Sequence, residues 1–208
     1  MMIRRIINKI RRIRWRKKFK YITPTSNVDL GVVVYNPDNL VMEEHTGIYS
    51  GATIMNTRAK FILKKYSGSA IGLTVITGNH MSVVGKWYHQ ITDEVKDALD
   101  TAKEYDKDVI VEEDVWIGAN VTLLSGAHIN RGAIVGAFSV VRSAVPPYAI
   151  VVGNPAKIIG FRFTPEEIIQ HELQLYDEED RLEYDYLKKN FTKYFTKRIK
   201  DINNHIKL

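Results

Sequence analysis

The chain has 208 residues, of which 45% are hydrophobic and 26% charged, enough for one hydrophobic core and a small appendage. It contains no cysteine, which excludes disulfides, thiolate metal sites and a cysteine acyl-enzyme. No apolar stretch reaches the ~20 residues that span a bilayer, and none resembles a signal peptide. A soluble, cytoplasmic protein is therefore expected.

The net charge of +6 belongs to the N-terminal segment. Residues 1–20 hold ten of the 30 Lys and Arg residues and no acidic residue, which leaves 20 basic and 24 acidic residues in the rest. We interpret residues 1–26 as a basic amphipathic helix and predict no nucleic-acid-binding domain. Isoleucines recur in it at helical spacing, at Ile3, Ile6, Ile7, Ile10 and Ile13. Such a helix either contacts an anionic membrane face or packs on its own protein or a sister subunit.

Residues 27–162 are predicted to form a parallel β-helix, because an aliphatic residue recurs every six positions. The aliphatic column is Val111, Ile117, Leu123, Ile129, Val135 and Val141. A small or β-branched residue follows four positions after each, at Val115, Val121, Ala127, Ala133, Ser139 and Val145. Neither a helix nor a hairpin has a six-residue period, whereas a parallel β-helix stacks such residues from coil to coil.

Upstream, over residues ~27–78, the same period is weaker. Ile48 and Ile54 fit it, and Leu63, Ser69 and Val75 resume it after a slip. Terminal repeats are often atypical, so we predict further, less regular coils here.

Residues 79–108 interrupt the repeat and are predicted to be an inserted loop. They are rich in charge and contain the aromatic pair Trp87 and Tyr88. Thr92, followed by two acids, predicts the start of a helix. Long insertions are usually functional or disordered, and the aromatic residues favour a segment that packs. The two aromatic rings either stack on a sugar or anchor the loop. His89, next to them, is a candidate for substrate contact.

Residues 163–208 are predicted to be a helical extension. Thr164, Pro165 and Glu167 form a strong helix entry, with Thr at the N-cap, Pro at N1 and Glu at N3. The pattern then indicates two helices. An acidic cluster, 177–180, lies near their junction, and residues 193–200 form a basic end.

The segment DVWIGANVTLLSGAHINRGAIVGAFSVVRSAVPPYAIVVGNPAKII, residues 114–159, resembles the hexapeptide-repeat acyltransferases. ITGNH, residues 76–80, followed by the insertion, belongs to the same pattern, and the similarity covers about residues 27–175. The resemblance is strongest to sugar and capsular polysaccharide O-acetyltransferases, with xenobiotic acetyltransferases as relatives. It implies a left-handed β-helix, a homotrimer, and acetyl-coenzyme A bound between two subunits without a metal.

The resemblance also implies that His80 is the catalytic general base. An imidazole titrates near neutral pH and can take the proton of a sugar hydroxyl as it attacks a thioester. Asn79 either orients His80 or contacts the acceptor, although Gly-Asn is also ordinary turn chemistry. Backbone groups around Trp116 to Ala119 are candidates to stabilise the oxyanion. The implied coenzyme A contacts are Trp116, Ala119, Ala137, Arg142, Ser143 and Lys157.

The predicted function is an acetyl-coenzyme A-dependent O-acetyltransferase that acts on a saccharide in capsule or surface-polysaccharide biosynthesis, at the inner membrane face. One alternative acceptor is an antibiotic, another xenobiotic or an amino sugar. A non-enzymatic, trimeric, membrane-associated module is a second alternative. A metal-dependent hydratase of the same architecture would need three histidines on zinc, and the spacing of His80, His89 and His128 does not match that family.

Overall fold

The computed structural model describes residues 2–196. Within these residues, helix α1 (Met2–Arg16) is followed by eighteen short strands. In chain order these are β1 (Tyr21–Ile22), β2 (Asn27–Val28), β3 (Val33–Val34), β4 (Leu40–Met42), β5 (Gly47–Ile48), β6 (Thr53–Met55), β7 (Phe61–Leu63), β8 (Gly68–Ser69), β9 (Thr74–Ile76), β10 (Val109–Val111), β11 (Trp116–Ile117), β12 (Thr122–Leu123), β13 (His128–Ile129), β14 (Ile134–Val135), β15 (Val140–Val141), β16 (Ala144–Val145), β17 (Ala149–Val152) and β18 (Lys157–Phe161).

Every third strand stacks on the same side, which gives a three-sided parallel β-helix. Sheet A contains β1, β4, β7, β10, β13 and β16; sheet C contains β3, β6, β9, β12 and β15. Sheet B contains β2, β5, β8, β11, β14 and β17 and is closed by the antiparallel strand β18. The predicted β-helix is thus confirmed. Its first strand, β1, pairs with β4 and lies before residue 27, where the coils were expected to begin.

The core is the stack of inward side chains that the six-residue period predicts. Every residue of the two columns is at most 4% exposed. Ile117 of β11 lies between Ser69 and Val135 of the neighbouring coils, in register with both. Adjacent strands are about 4.8 Å apart, so each aliphatic side chain covers the one below it. The upstream residues Ile48, Ile54, Leu63, Ser69 and Val75 are at most 1% exposed, which confirms the weaker coils.

The slip in the repeat arises at the edge where sheet C passes into sheet A, called the C–A edge below. The connections 35–39, 56–60 and 77–108 all lie at this edge, between β3 and β4, β6 and β7, and β9 and β10. Buried Asn56 holds two of them together, because its side-chain oxygen accepts from Asn36 N at 3.0 Å and its amide donates to Asn36 O at 2.8 Å. Longer turns fit here without disturbing the inward columns.

The C-terminal part contains helices after the β-helix, as predicted. Within the insertion lies α2 (Asp93–Leu99), and after β18 come α3 (Pro165–Leu175) and α4 (Tyr184–Phe191). Thr164 and Glu167 form the predicted capping box at the start of α3. Fully buried Glu172 of α3 accepts from the Tyr148 hydroxyl at 3.0 Å and from Leu182 N at 2.6 Å, which fixes α3 to the last coils. Residues 197–200 of the predicted basic end lie outside the described residues.

Gly132 is required where sheet A turns into sheet B. Its φ is +69°, and an added Cβ would lie 2.4 Å from the ring of fully buried Tyr148. Gly132→Ala is therefore expected to lower the free energy of unfolding by about 2–4 kcal/mol, from backbone strain and overpacking. The control is Gly85→Ala, with φ +82° and no atom within 4 Å, which should cost only about 1 kcal/mol. Urea denaturation measures both, and equal losses would contradict the steric conflict with Tyr148.

Candidate active site

The insertion is a folded excursion whose two ends are joined at the C–A edge. Asn79 N donates to Tyr105 O and Lys107 N donates to Thr77 O, both at 3.1 Å. A 3-10 helix, Tyr88–Gln90, and α2 occupy its middle. The insertion therefore leaves and rejoins the β-helix at one hydrogen-bonded point, and His80 lies just after that point in the chain.

The start of α2 is the one that the sequence predicts. The Thr92 side chain accepts from Val95 N at 3.4 Å, and Asp93 and Glu94 occupy the first turn. Acidic residues there interact favourably with the helix dipole.

A largely buried ion network bonds to Asn79, the residue that precedes His80. Lys96 of α2, only 6% exposed, donates to the Asp106 carboxylate at 2.6 Å and to Asn79 O at 2.5 Å. Arg58, from the preceding coil, donates to the same carboxylate at 3.0 Å. Burial raises the pKa of Asp106, but the hydrogen bonds from Lys96 and Arg58 outweigh it and hold that pKa below its usual value. The backbone that precedes His80 is therefore held by a charged, hydrogen-bonded anchor.

His80 is exposed at the mouth of a cavity of about 350 Å³. Its ring lies edge-on to Tyr88, with centroids 5.0 Å apart and an interplanar angle of 75°. Within the described part of the chain, the imidazole makes no hydrogen bond, so its nitrogens are open to a bound hydroxyl. Besides the ion network, the cavity is lined by Met55, Thr57, Ile76, Met81, Ile91 and Asp93.

The predicted acceptor residues are all accessible. Trp87 is 80% exposed and Tyr88 66% exposed, and the side chains of Asn79 and His89 are exposed as well. The structure thus brings Tyr88 to His80, while Trp87 presents its ring to solvent farther along the insertion.

Three of the predicted coenzyme contacts line a second cavity. Arg142 and Ser143 lie at the same C–A edge as His80, two coils or roughly 10 Å farther along the axis. Together with Lys157 of β18, they line a cavity of about 670 Å³ that Tyr194 also borders. Two cationic side chains there can bind phosphate groups.

The remaining contacts lie elsewhere on the chain. Ala119 and Ala137 occupy the turns between sheets B and C. Trp116 is half-exposed on the outer face of sheet B, where it lines a third cavity of about 580 Å³ with Tyr49 and Tyr66. In a single chain, the predicted coenzyme contacts therefore do not lie together: Trp116 lines one cavity, Arg142, Ser143 and Lys157 line another, and the two alanines lie in turns.

Hydrogen bonds between neighbouring coils exclude two of the backbone N–H groups that were predicted to stabilise the oxyanion. Trp116 N donates to Ala133 O at 3.1 Å and Gly118 N donates to Val135 O at 2.8 Å. These two donors belong to the stacking of coils, so they do not serve a reaction intermediate.

Sequence reasoning missed the Lys96–Asp106–Arg58 network. From the sequence alone, Lys96 is one more lysine expected to be exposed on a short polar helix, and Asp106 is expected in a charged turn. Neither spacing nor composition signals that α2 folds back over the C–A edge.

Residues 2–196 contain neither a metal-binding cluster nor a membrane-spanning helix. Here no group of three or more His, Cys, Asp or Glu side chains is placed to hold a metal ion, and His80, His89 and His128 form no such set. Over the same residues, no helix is long and apolar enough to span a bilayer.

A parallel β-helix is the architecture that hexapeptide repeats form. Residues 108–143 match the family described as bacterial transferase hexapeptide (six repeats). The chain carries the repeats of this family, which confirms the resemblance predicted from its sequence.

Two proteins similar to this chain are described as acetyltransferases. It is 33% identical over 131 residues to a probable macrolide acetyltransferase of Lysinibacillus sphaericus, which covers 63% of this chain and 64% of that protein. It is 49% identical over 51 residues to a putative lipopolysaccharide biosynthesis O-acetyl transferase of Escherichia coli, covering 24% and 26%. The chain thus spans less than two thirds of the length of either relative.

One similar solved structure contains the acyl donor. It is a hexapeptide-repeat acetyltransferase from Vibrio cholerae in complex with acetyl-coenzyme A. The TM-score is 0.59 at 25% identity, with 71% of this chain and 74% of that chain covered.

Proposed function

We propose that this protein is an acetyl-coenzyme A-dependent O-acetyltransferase that acts on a saccharide in capsule or surface-polysaccharide biosynthesis. The observation that carries the proposal is the position of His80, exposed beside Tyr88 at a cavity mouth and on the same edge as Arg142. The enzyme would work in the cytoplasm, at the inner membrane face.

In the proposed reaction, the His80 imidazole takes the proton of an acceptor hydroxyl as its oxygen attacks the thioester carbonyl. The carbon–sulfur bond breaks, the coenzyme leaves as a thiolate, and the imidazolium returns the proton to sulfur. General-base catalysis of this kind typically contributes 10²–10⁴-fold. The chain has no cysteine, so we propose direct transfer in a ternary complex. The thioester already carries an activated acyl group, so the mechanism needs no metal.

The exposed aromatic rings of the insertion support a saccharide acceptor. Tyr88 contacts His80 and Trp87 is largely exposed, and such rings can stack on the apolar face of a sugar. Asn79 and His89 would supply polar contacts to its hydroxyls. The Escherichia coli relative, described as a lipopolysaccharide O-acetyl transferase, supports the same acceptor class.

The separation of the predicted residues supports a homotrimer. In one chain, Trp116 and His80 line different cavities, which a neighbouring copy could bring together at a shared site. A closed three-fold ring would also cover flat sheet faces. Sedimentation equilibrium should then give three times the chain mass of 23.9 kDa, and a monomer would contradict this part of the proposal.

The donor site is tested through its cations. Arg142→Ala and Lys157→Ala are each expected to raise the KM for acetyl-coenzyme A about tenfold and to leave kcat within about threefold, because charge-assisted phosphate contacts would be lost. Lys60→Ala, an exposed lysine on an early coil, is the control and should change neither constant. An unchanged KM in both variants would show that other residues bind the phosphates of the coenzyme.

The acceptor is tested by coenzyme A release from acetyl-coenzyme A with a saccharide panel, a macrolide and an amino sugar. Release that depends on a saccharide, with a product ester cleaved by hydroxylamine, supports the proposal. A macrolide is included among the acceptors because the Lysinibacillus sphaericus relative is described as a probable macrolide acetyltransferase. Release with the macrolide alone would show that the acceptor is an antibiotic and not a saccharide. No release and no coenzyme A binding would favour the non-enzymatic module.

A further inference from the structure

Helix α1 is attached to the β-helix near its C-terminal end. Trp15 packs against the core, and Phe19, just beyond the helix, belongs to that core. The Arg16 guanidinium donates to Ser26 O at 2.7 Å and to Thr23 O. The orientation of the helix about its own axis is therefore set by the residues around Trp15 and Arg16.

The isoleucine stripe of α1, Ile7, Ile10 and Ile13, is about half-exposed, and Ile13 at its end borders Ile22 and Val28 of the β-helix. Ile7, Ile10 and Ile13 are 51%, 45% and 49% exposed. At about 100° per residue, they span an arc of roughly 120° centred on Ile10, and Trp15 lies about 140° from that centre. Of the partners that the sequence left open, the chain's own β-helix thus does not cover Ile7 and Ile10.

The charge around the stripe identifies what can cover it. Arg11, Arg12 and Arg14 are exposed on the same helix, and Lys17 and Lys18 follow directly. No acidic residue occurs in residues 1–20, while the rest of the chain has a net charge of −4. The same helix of a second copy would place like charges side by side, which is unfavourable. An anionic bilayer attracts the cations and accepts the isoleucines.

We propose that α1 docks in the interface of an anionic phospholipid bilayer. Ile7, Ile10 and Ile13 enter the boundary between headgroups and acyl chains, and the arginines bind lipid phosphates. The attachment at Trp15 then carries the β-helix on the membrane surface. The membrane-docking surface does not include His80, so vesicle binding and transferase activity are tested separately.

The test is sedimentation of the full-length protein with vesicles of phosphatidylcholine alone or with one quarter phosphatidylglycerol. Binding to the anionic vesicles is expected to be at least 100-fold stronger. The triple variant Arg11→Gln, Arg12→Gln, Arg14→Gln should weaken it about 100-fold, at about fivefold per basic side chain. The triple variant Ile7→Asn, Ile10→Asn, Ile13→Asn should weaken it at least tenfold.

The matched control neutralises three exposed lysines outside α1, Lys60→Gln, Lys86→Gln and Lys189→Gln, and should bind within twofold of the wild type. Circular dichroism checks that each variant is folded. Equal binding of the isoleucine variant and the wild type, or no preference for anionic vesicles, overturns the proposal. A change in oligomer mass in the isoleucine variant, without vesicle binding by the wild type, would instead assign the stripe to a contact between copies and also overturn it.

Discussion

Replacing His80 with alanine is expected to lower the kcat of acetyl transfer by 10²–10⁴-fold, because the acceptor hydroxyl then loses its proton acceptor. The KM for acetyl-coenzyme A should stay within about twofold, since the proposed phosphate contacts are made by other residues. The measurement is acceptor-dependent release of coenzyme A, under saturating donor, for the variant and the wild type. Because the side chain is exposed, the fold should survive the change.

The matched control for this experiment is His128→Ala. His128 lies on the outer face of sheet A, where Nε2 is 2.7 Å from the Glu112 carboxylate. It is expected to keep kcat within twofold. Equal rates for His80→Ala and the wild type would remove His80 as the base and direct attention to His89, the other histidine of the insertion.

Replacing Lys96 with methionine is expected to lower the free energy of unfolding by about 3 kcal/mol, because the buried Asp106 carboxylate would keep only Arg58 as a cationic partner. Asn79 O would lose its donor as well, so the backbone before His80 would be less well held. We expect kcat to fall about tenfold while the KM for acetyl-coenzyme A changes less than twofold. Urea denaturation and steady-state kinetics measure the two effects.

The pH dependence of stability provides a second measurement for the same network. The pKa of Asp106 lies below its ordinary value of 3.8, so this carboxylate stabilises the fold above pH ~4, and that contribution is lost as the pH falls through the lowered pKa. Lys96→Met leaves the burial of Asp106 but removes a hydrogen bond, so its pKa should rise. The midpoint of acid unfolding should therefore move to higher pH.

Two variants distinguish positioning from general destabilisation. Lys86→Met changes an exposed lysine of the same insertion and should leave stability, kcat and the acid midpoint unchanged. Lys96→Arg keeps the charge and should restore part of kcat. If Lys96→Met loses stability but retains full kcat, the anchor supports the fold without positioning His80.

Much of the fold is encoded locally and can be predicted. The six-residue column from Val111 to Val141 predicts both the β-helix and its inward residues, because each position in a short strand determines which way its side chain points. The capping residues Thr92 and Thr164 predict two helix starts for a similar reason, since an N-cap bonds to an N–H only a few residues away. Strand β1 escaped prediction because Tyr21 and Ile22 lie in the segment, 1–26, that the basic amphipathic pattern assigns to the N-terminal helix.

The sequence by itself therefore determined the repeat and the interruption at 79–108, which depend on neighbours along the chain, while His80 as candidate base rests on the resemblance to the hexapeptide-repeat acyltransferases. Only the tertiary structure decided how distant segments meet. The Asp106 anchor joins Arg58 and Lys96, which are 48 and 10 residues away, after α2 has folded over the C–A edge. The packing of Trp15 likewise decided that Ile7 and Ile10 of α1 stay exposed. Periodicity records which residues share a face, but only packing shows what that face meets.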